Sequence, residues 1–167
     1  MRYYPIFLNL GGRRAVVVGG GKVAERKVRK LLRAGARVHV ISPELTPGLK
    51  KPLRQRKISV TPRRYRAGDI RSMARKHSAI LVFAATSDPV AQRAVQRDAA
   101  AIGALVNVAD DPARCDFIVP ASIMRGNMHV AISTSGTDPA LAKWLRKSLG
   151  AEFRKIKRQR AKGKSQK

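Results

Sequence analysis

The feature that most constrains this chain is an apolar strand that runs into three consecutive glycines and then into a helix. Residues 14–18 read RAVVV and residues 19–24 read GGGKVA. From Lys22 the apolar residues return at helical spacing as far as Gly35, which is placed to end the helix. Residues 37–42 are typical of a second strand. This order predicts a βαβ unit with a right-handed crossover.

Three more strands are predicted further along the chain, at residues 58–61, 79–84 and 104–107. A helix lies between the last two, beginning after Asp88 and ending near Gly103. Asp88 precedes a proline, a pair that is typical of a capped helix start. The alternation of strands and helices predicts an α/β fold, a Rossmann-like doubly wound parallel sheet.

The glycine turn matches the pattern GxGxxA in the position where dinucleotide-binding folds carry it. Gly19 permits the tight turn, Gly21 lets a pyrophosphate approach the backbone, and Ala24 allows close packing of helix on strand. The N-terminus of the helix offers N–H groups to the phosphates. The alternative interpretation is a glycine turn that binds no ligand.

Ligands of open α/β sheets bind beyond the carboxyl ends of the strands. Pro43 and Glu44 follow the second strand, and Glu44 is placed to reach a ribose hydroxyl. The sequence does not decide between NAD and NADP. Thr86 follows the fourth strand, where it lines the nicotinamide side or is an ordinary turn residue.

The fifth strand is followed by adjacent acids in a chain that holds 10 Asp and Glu in total. Asn107 ends the strand and is a candidate cofactor contact. Asp110 is the candidate catalytic residue, because a carboxylate at this edge can accept a proton during oxidation of a bound substrate. The alternative is that Asp110 and Asp111 cap a turn before Pro112.

The strand and helix alternation stops after about residue 115. Residues 117–123 and 128–134 predict two strands joined by a hairpin turn at 125–127. Between this hairpin and a helix that opens at 137–139, Ser133, Thr134 and Ser135 form a hydroxyl-rich loop that binds anions or caps the helix. The apolar stripe predicted along the helix consists of Leu141, Leu145, Leu149, Phe153 and Ile156.

Composition excludes several classes of protein. A single cysteine, Cys115, excludes an internal disulfide and a zinc cluster and fits a reducing cytoplasm. The histidines show no metal-ligand spacing, so we predict no metal site. No apolar run approaches the roughly 20 residues that a membrane-spanning helix needs. The formal charge of +26 predicts an anionic partner.

Together these segments resemble one known family, the precorrin-2 dehydrogenase or siroheme synthase N-terminal family. The residues that carry the resemblance occur in the family's order. They are YPIFLNL at 4–10, VVGGGKVAERK at 17–27, FAAT at 83–86, NVAD at 107–110, FIVPA at 117–121 and STSGTDP at 133–139.

The resemblance implies oxidation of precorrin-2 to sirohydrochlorin with NAD, with insertion of ferrous iron by some members. It implies a homodimer in which Asp110 corresponds to the catalytic aspartate and Thr134 to a serine that some relatives phosphorylate. Precorrin-2 carries many carboxylates, which gives the basic surface a rationale. Cofactor contacts of the family match Gly21, Lys22, Val23, Pro43 and Glu44.

We expect three regions. Residues 1–115 form the NAD-binding domain, residues 116–157 form a region for dimerisation and substrate binding, and residues 158–167 form a basic tail. Because most of the family's C-terminal helical part is expected to be missing, ferrochelatase activity stays open. The alternative function is a basic nucleic-acid-associated protein that contacts its ligand through residues 48–66 and 154–167, although few aromatic residues there support base stacking.

Overall fold

A computed structural model describes residues 3–74 and 79–164 of the chain. The chain divides into two compact units. The first comprises residues 5–117. The described residues of the second are 3–4 and 118–164. No helix in the described ranges is long and apolar enough to cross a membrane.

The first unit is built on a five-stranded parallel sheet with the strand order β3-β2-β1-β4-β5. The predicted Rossmann-like sheet is therefore confirmed, and every predicted strand of it lies within one residue of its observed bounds. The strand order reverses between β1 and β4, where such sheets bind their ligands. The strands are β1 (Arg14–Val18), β2 (Arg37–Ile41), β3 (Ile58–Thr61), β4 (Ala79–Ala84) and β5 (Leu105–Val108).

Four helices connect these strands. They are α1 (Lys22–Arg33), α2 (Pro47–Arg54), α3 (Asp69–Ala74) and α4 (Pro89–Ala100). Helix α1 contacts α2, and α3 contacts α4. Sequence analysis missed α2 and α3: α2 begins with Pro-Gly and has Pro52 inside it, and α3 is only 6 residues long.

The core of the first unit lies around β1. Ala15, Val16 and Val17 have no exposed surface, as expected for a strand that is covered on both faces. Helix α1 turns Ala24, Val28 and Leu31 toward the sheet. Gly35 takes a φ of 76° immediately after the helix, the left-handed conformation that ends helices and that glycine adopts without strain.

The second unit contains an antiparallel hairpin and one long helix. The hairpin pairs β6 (Ala121–Arg125) with β7 (Met128–Ile132), and α5 (Pro139–Lys164) contacts both strands. The prediction that the first of these strands begins at residue 117 was wrong. Phe117 belongs to the first unit, where its ring packs edge-on against Phe83 at 5.4 Å between centroids.

We expect the first unit to lose stability in acid because of Asp69. Arg63 donates to both Asp69 carboxylate oxygens at 2.8 Å, and this ion pair holds the pKa of Asp69 below its usual 3.8. Since the pKa is lower in the folded state, this stabilisation is complete above the usual value and disappears as the pH falls through the folded pKa. Urea unfolding from about pH 6 to pH 2 measures the loss. Arg63→Met should flatten this acid limb, and an unchanged slope would contradict the assignment.

Candidate functional site

The glycine turn is shaped by two close approaches of the backbone. Gly19 has a φ of 118°, and a Cβ there would lie 2.2 Å from the carbonyl oxygen of Ala85. A Cβ on Gly20 would lie 1.8 Å from the carbonyl oxygen of Glu44. Both glycines are therefore required by the fold itself.

Gly21 differs from its two neighbours, because a Cβ on this residue would meet nothing within 4 Å. Gly21 is the N-cap residue of α1, with a φ of −80°, and it provides no side-chain hydrogen bond to the first turn of the helix. The first N–H groups of a helix lack partners within the helix. The space in front of Gly21 and these donors together suit the close approach of a phosphate group.

A cleft of about 440 Å³ opens at this turn, at the carboxyl ends of β1, β2 and β4. Of the predicted cofactor residues, Gly19, Gly21, Pro43 and Thr86 line it. Lys22, Val23, Glu44 and Asn107 are not among the described residues of its wall. Sequence analysis did not anticipate Arg64 and Tyr65. The lining comprises Val18, Gly19, Gly20, Gly21, Ile41, Ser42, Pro43, Arg64, Tyr65, Ala85, Thr86, Ser87, Asp88 and Ala91.

The segment after β2 is held in place by hydrogen bonds. Ser42 Oγ donates to the carbonyl oxygen of Glu44 at 2.7 Å. Thr46 Oγ1 donates to Glu25 Oε2 on α1, also at 2.7 Å, and this bond is the main reason why the pKa of Glu25 is lowered. The wall of the cleft that contains Pro43 is thereby fixed to the helix that begins at the glycine turn.

Tyr65, on the same cleft, is fixed by a buried carboxylate. Asp98 on α4 is only 3% exposed and accepts hydrogen bonds from the Tyr65 hydroxyl and, at 2.5 Å, from the Gly68 N–H. Arg71 Nε lies 3.0 Å from its other oxygen. Burial, together with Asp98, raises the pKa of Tyr65 well above its usual range. Tyr65 is therefore a neutral donor at physiological pH.

Replacing Asp98 by Asn is expected to lower the free energy of unfolding by about 2–4 kcal/mol, because one donor at this buried position would then face an NH₂ group. Urea unfolding measures the change. Arg71→Met is the matched control, since the Arg71 side chain is 57% exposed and its loss should cost less than about 1 kcal/mol. Equal effects of the two variants would contradict this account.

In the loop after β5, the two adjacent acids, Asp110 and Asp111, have different environments. Asp110 is exposed and takes a φ of 62°, a left-handed conformation. Asp111 pairs with Arg114 Nε at 2.5 Å, and this contact lowers the pKa of Asp111. Arg114 also donates to Gln92 and Gln96 on α4. Asp111 therefore anchors the loop to α4, while the structure gives Asp110 no such partner among the described residues.

Asn107 is buried at the end of β5, with 7% of its surface exposed. Its Oδ1 accepts a hydrogen bond from Lys27 Nζ at 3.0 Å, and its Nδ2 donates to the carbonyl oxygen of Phe117 at 2.9 Å. The amide is thus used inside the protein. Sequence analysis placed Lys27 in the segment 17–27 that carries the family resemblance, but it did not predict its contact with Asn107, which is 80 residues away in the chain.

The hydroxyl-rich loop lies in the second unit. Ser133 Oγ accepts from the Ser135 N–H at 3.0 Å, and Thr134 Oγ1 donates to the carbonyl oxygen of Asp138 at 2.9 Å. Asp138 Oδ1 accepts from the Leu141 N–H at 2.8 Å. Asp138 therefore caps α5, and the hydroxyl groups of Ser133 and Thr134 each make a hydrogen bond within the turn.

The histidines and acids do not assemble a metal site in the part of the chain that the structure describes, where no group of three potential ligands occurs. His39 bonds Ser59 Oγ and Thr61 Oγ1 on β3 at 2.7 and 2.9 Å. Its burial lowers its pKa. His77 lies outside the described residues.

A parallel sheet with a glycine turn at its switch point and an open helix N-terminus defines a dinucleotide-binding α/β protein. The family model described as "Putative NAD(P)-binding" matches residues 6–121. The chain therefore belongs to this NAD(P)-binding family.

Curated relatives agree with this assignment. The siroheme synthase of Methylobacillus flagellatus is 44% identical over 146 residues, which cover 87% of this chain and 30% of the relative. The siroheme synthase of Nitrosomonas europaea is 43% identical over 152 residues, covering 90% and 31%. The chain thus spans about three tenths of the length of these relatives.

A solved structure is also similar. The protein named "SirC, precorrin-2 dehydrogenase" matches with a TM-score of 0.74 and 27% identity, covering 90% of this chain and 71% of that one. The resemblance to the precorrin-2 dehydrogenase or siroheme synthase N-terminal family is therefore confirmed.

Proposed function

We propose that the protein oxidises precorrin-2 to sirohydrochlorin with NAD⁺, as part of siroheme synthesis. The observation that carries the proposal is the open space at Gly21, in front of a helix N-terminus without a side-chain cap. Its neighbours Gly19 and Gly20 are required by backbone contacts, whereas nothing in the described fold requires Gly21. A ligand that approaches the backbone explains this glycine, and the names of the relatives indicate which reaction the ligand serves.

The oxidation removes a hydride and a proton from the substrate. NAD⁺ supplies the hydride acceptor when it is bound and becomes NADH. We assign Gly21 and the N–H groups of α1 to its pyrophosphate, Pro43 and Glu44 to a ribose, and Thr86 to the nicotinamide side. Asp110 accepts the proton at its carboxylate, because it is exposed and, unlike Asp111, is not held in a salt bridge within the described residues.

The positive charge of the chain fits a substrate that carries many carboxylates. Arginine donates to such groups in bidentate geometry. Arg64, which lines the cleft, is exposed. We assign Ser133, Thr134 and Ser135 to substrate binding, where hydroxyl and N–H groups can bond carboxylates. Neither the relatives nor the cleft support the nucleic-acid alternative.

We also propose that the protein is a homodimer that assembles through its second unit. Trp144 is 61% exposed, and Met124 is 49% exposed. On α5, Leu141 and Leu149 of the predicted stripe remain exposed, so the helix does not bury that stripe within its own unit. Light scattering at micromolar concentration should give twice the mass of the chain. Trp144→Glu should shift the protein toward the monomer, and a monomeric wild type would contradict the proposal.

A cytoplasmic location accords with the chemistry of the single cysteine. Cys115 is a free thiol, and its burial raises its pKa. A thiol with a raised pKa is less reactive at neutral pH. We propose that the protein works in this reducing compartment.

The proposed function is tested by anaerobic incubation of the protein with precorrin-2 and NAD⁺. We expect one NADH to form for each sirohydrochlorin, with both followed by absorbance. A parallel reaction with NADP⁺ measures the preference for cofactor. Protein that binds NAD⁺ but forms no NADH with precorrin-2 would overturn the proposal.

A further inference from the structure

We propose that Lys27 is a positioning residue of this site, which acts through Asn107 on the loop that carries Asp110. The inference rests on the proposed function. Lys27 lies on α1, and its Nζ reaches Asn107 near the end of β5. The basis for the positioning role is a continuous set of contacts from Lys27 to both ends of the loop that carries Asp110.

The Lys27 ammonium group occupies an unusual position. Lys27 is half-buried, and its Nζ lies 5.2 Å from the centroid of the Phe83 ring. Its hydrogen bond goes to the neutral oxygen of Asn107, and the Asp110 carboxylate attracts it without bonding to it. Burial, followed by repulsion from Arg26 and Lys30, lowers its pKa. Burying a charge whose hydrogen-bond partner is neutral is costly, which points to a role beyond stability.

Lys27 fixes the orientation of the Asn107 amide. An ammonium group can only donate, so it must face the amide oxygen and not the nitrogen. The nitrogen then points to the carbonyl oxygen of Phe117 at 2.9 Å and to Cys115 Sγ at 3.4 Å. Lys27 thus selects one of the two orientations of a buried amide.

Cys115 links the two ends of the loop that carries Asp110. Cys115 Sγ accepts a hydrogen bond from the Val108 N–H at 3.2 Å and donates one to the carbonyl oxygen of Asp111, also at 3.2 Å. These bonds join the start of the loop to its end, and Asp110 lies between them at a φ of 62°. With Asn107 reversed, its NH₂ would face the ammonium, and the bonds to Cys115 and Phe117 would be lost. The position of Asp110 would then be less well defined.

The experiment compares Lys27→Met with Lys27→Arg and with Arg26→Met, which removes the same charge from an exposed neighbour on α1. We expect Lys27→Met to lower kcat about tenfold or more, because small displacements of a reacting group have effects of this size. KM for precorrin-2 and Kd for NAD⁺ should stay within about twofold of the wild type, since Lys27 touches neither ligand in this account. Lys27→Arg should recover most of kcat, and Arg26→Met should retain it.

A second measurement does not depend on activity, because Cys115 is the only cysteine in the chain. The charges that act on its thiol are Lys27, which favours the thiolate, and Asp111 and Asp116, which oppose it. Lys27→Met should therefore move the pH midpoint of Cys115 alkylation upward. Lys27→Arg and Arg26→Met should leave it near the wild-type value.

The outcomes separate the two proposals. If wild-type protein forms no NADH, the proposed function fails, while alkylation still tests the contacts of Lys27. If wild-type protein is active and Lys27→Met keeps its kcat and its alkylation midpoint, the positioning role is overturned. A rise in KM with unchanged kcat would also overturn it, since Lys27 would then bind substrate directly.

Discussion

Replacement of Asp110 by Asn is expected to lower kcat for precorrin-2 oxidation by about 10²–10⁴-fold, the usual effect of removing a positioned general base. The amide cannot accept the proton that leaves the substrate as the hydride departs. The Kd for NAD⁺ should change little, because Asp110 is not a described part of the wall of the glycine cleft. Steady-state kinetics and calorimetric titration with NAD⁺ measure the two quantities.

Asn is a better replacement than Ala because of the backbone at this position. Asp110 has a φ of 62°, a conformation that Asn tolerates and Ala does not. Asp111→Asn is the matched control, because it removes the ion pair with Arg114. It should lower the free energy of unfolding while it changes kcat much less than Asp110→Asn does. Equal loss of kcat in both variants would show that the shape of the loop, and not the Asp110 carboxylate, limits the reaction.

Replacement of Gly20 by Ala is expected to lower the free energy of unfolding by at least about 3 kcal/mol. The added Cβ would meet the carbonyl oxygen of Glu44 at 1.8 Å, and a backbone atom cannot move away without displacing the segment after β2. Gly21→Ala should change stability by less than about 1 kcal/mol, because its φ of −80° suits any residue and its Cβ meets no atom.

Gly21→Ala should affect NAD⁺ binding, although it leaves the stability of the protein nearly unchanged. Gly21→Ala is expected to weaken NAD⁺ binding at least about tenfold, or about 1.4 kcal/mol, because the new methyl group fills the space assigned to the pyrophosphate. Urea unfolding and titration with NAD⁺ on both variants measure stability and affinity. A Gly21→Ala protein with wild-type affinity would place the dinucleotide elsewhere.

The sheet could be predicted from the sequence because its signals are local. After Arg14 the residues of β1 are all apolar and buried, as a strand covered on both faces requires, and the three glycines that follow interrupt the pattern. β4, which reads AILVFA, agrees with its predicted bounds for the same reason. β3 also agrees with its predicted bounds, although only its first residue is buried. The position of Asp110 after β5 also follows from chain order, since parallel strands end at one edge.

The rest of the site depends on contacts between distant residues. The Lys27 bond to Asn107 and the Thr46 bond to Glu25 join residues 80 and 21 positions apart. No periodic pattern in the sequence predicts either contact. The late start of β6 has a similar cause, because Phe117 packs on Phe83 instead of extending the strand. Tyr65 lines the cleft while its hydroxyl donates to Asp98, which lies 33 residues away on α4.

A crystal structure of the protein with NAD⁺ tests the central claim most directly. We predict that the pyrophosphate lies against Gly21, within hydrogen-bond distance of the first N–H groups of α1. The nicotinamide ring should lie on the Thr86 side of the cleft, toward the loop that carries Asp110. A dinucleotide bound away from the glycine turn, with the space before Gly21 filled only by solvent, would contradict the account.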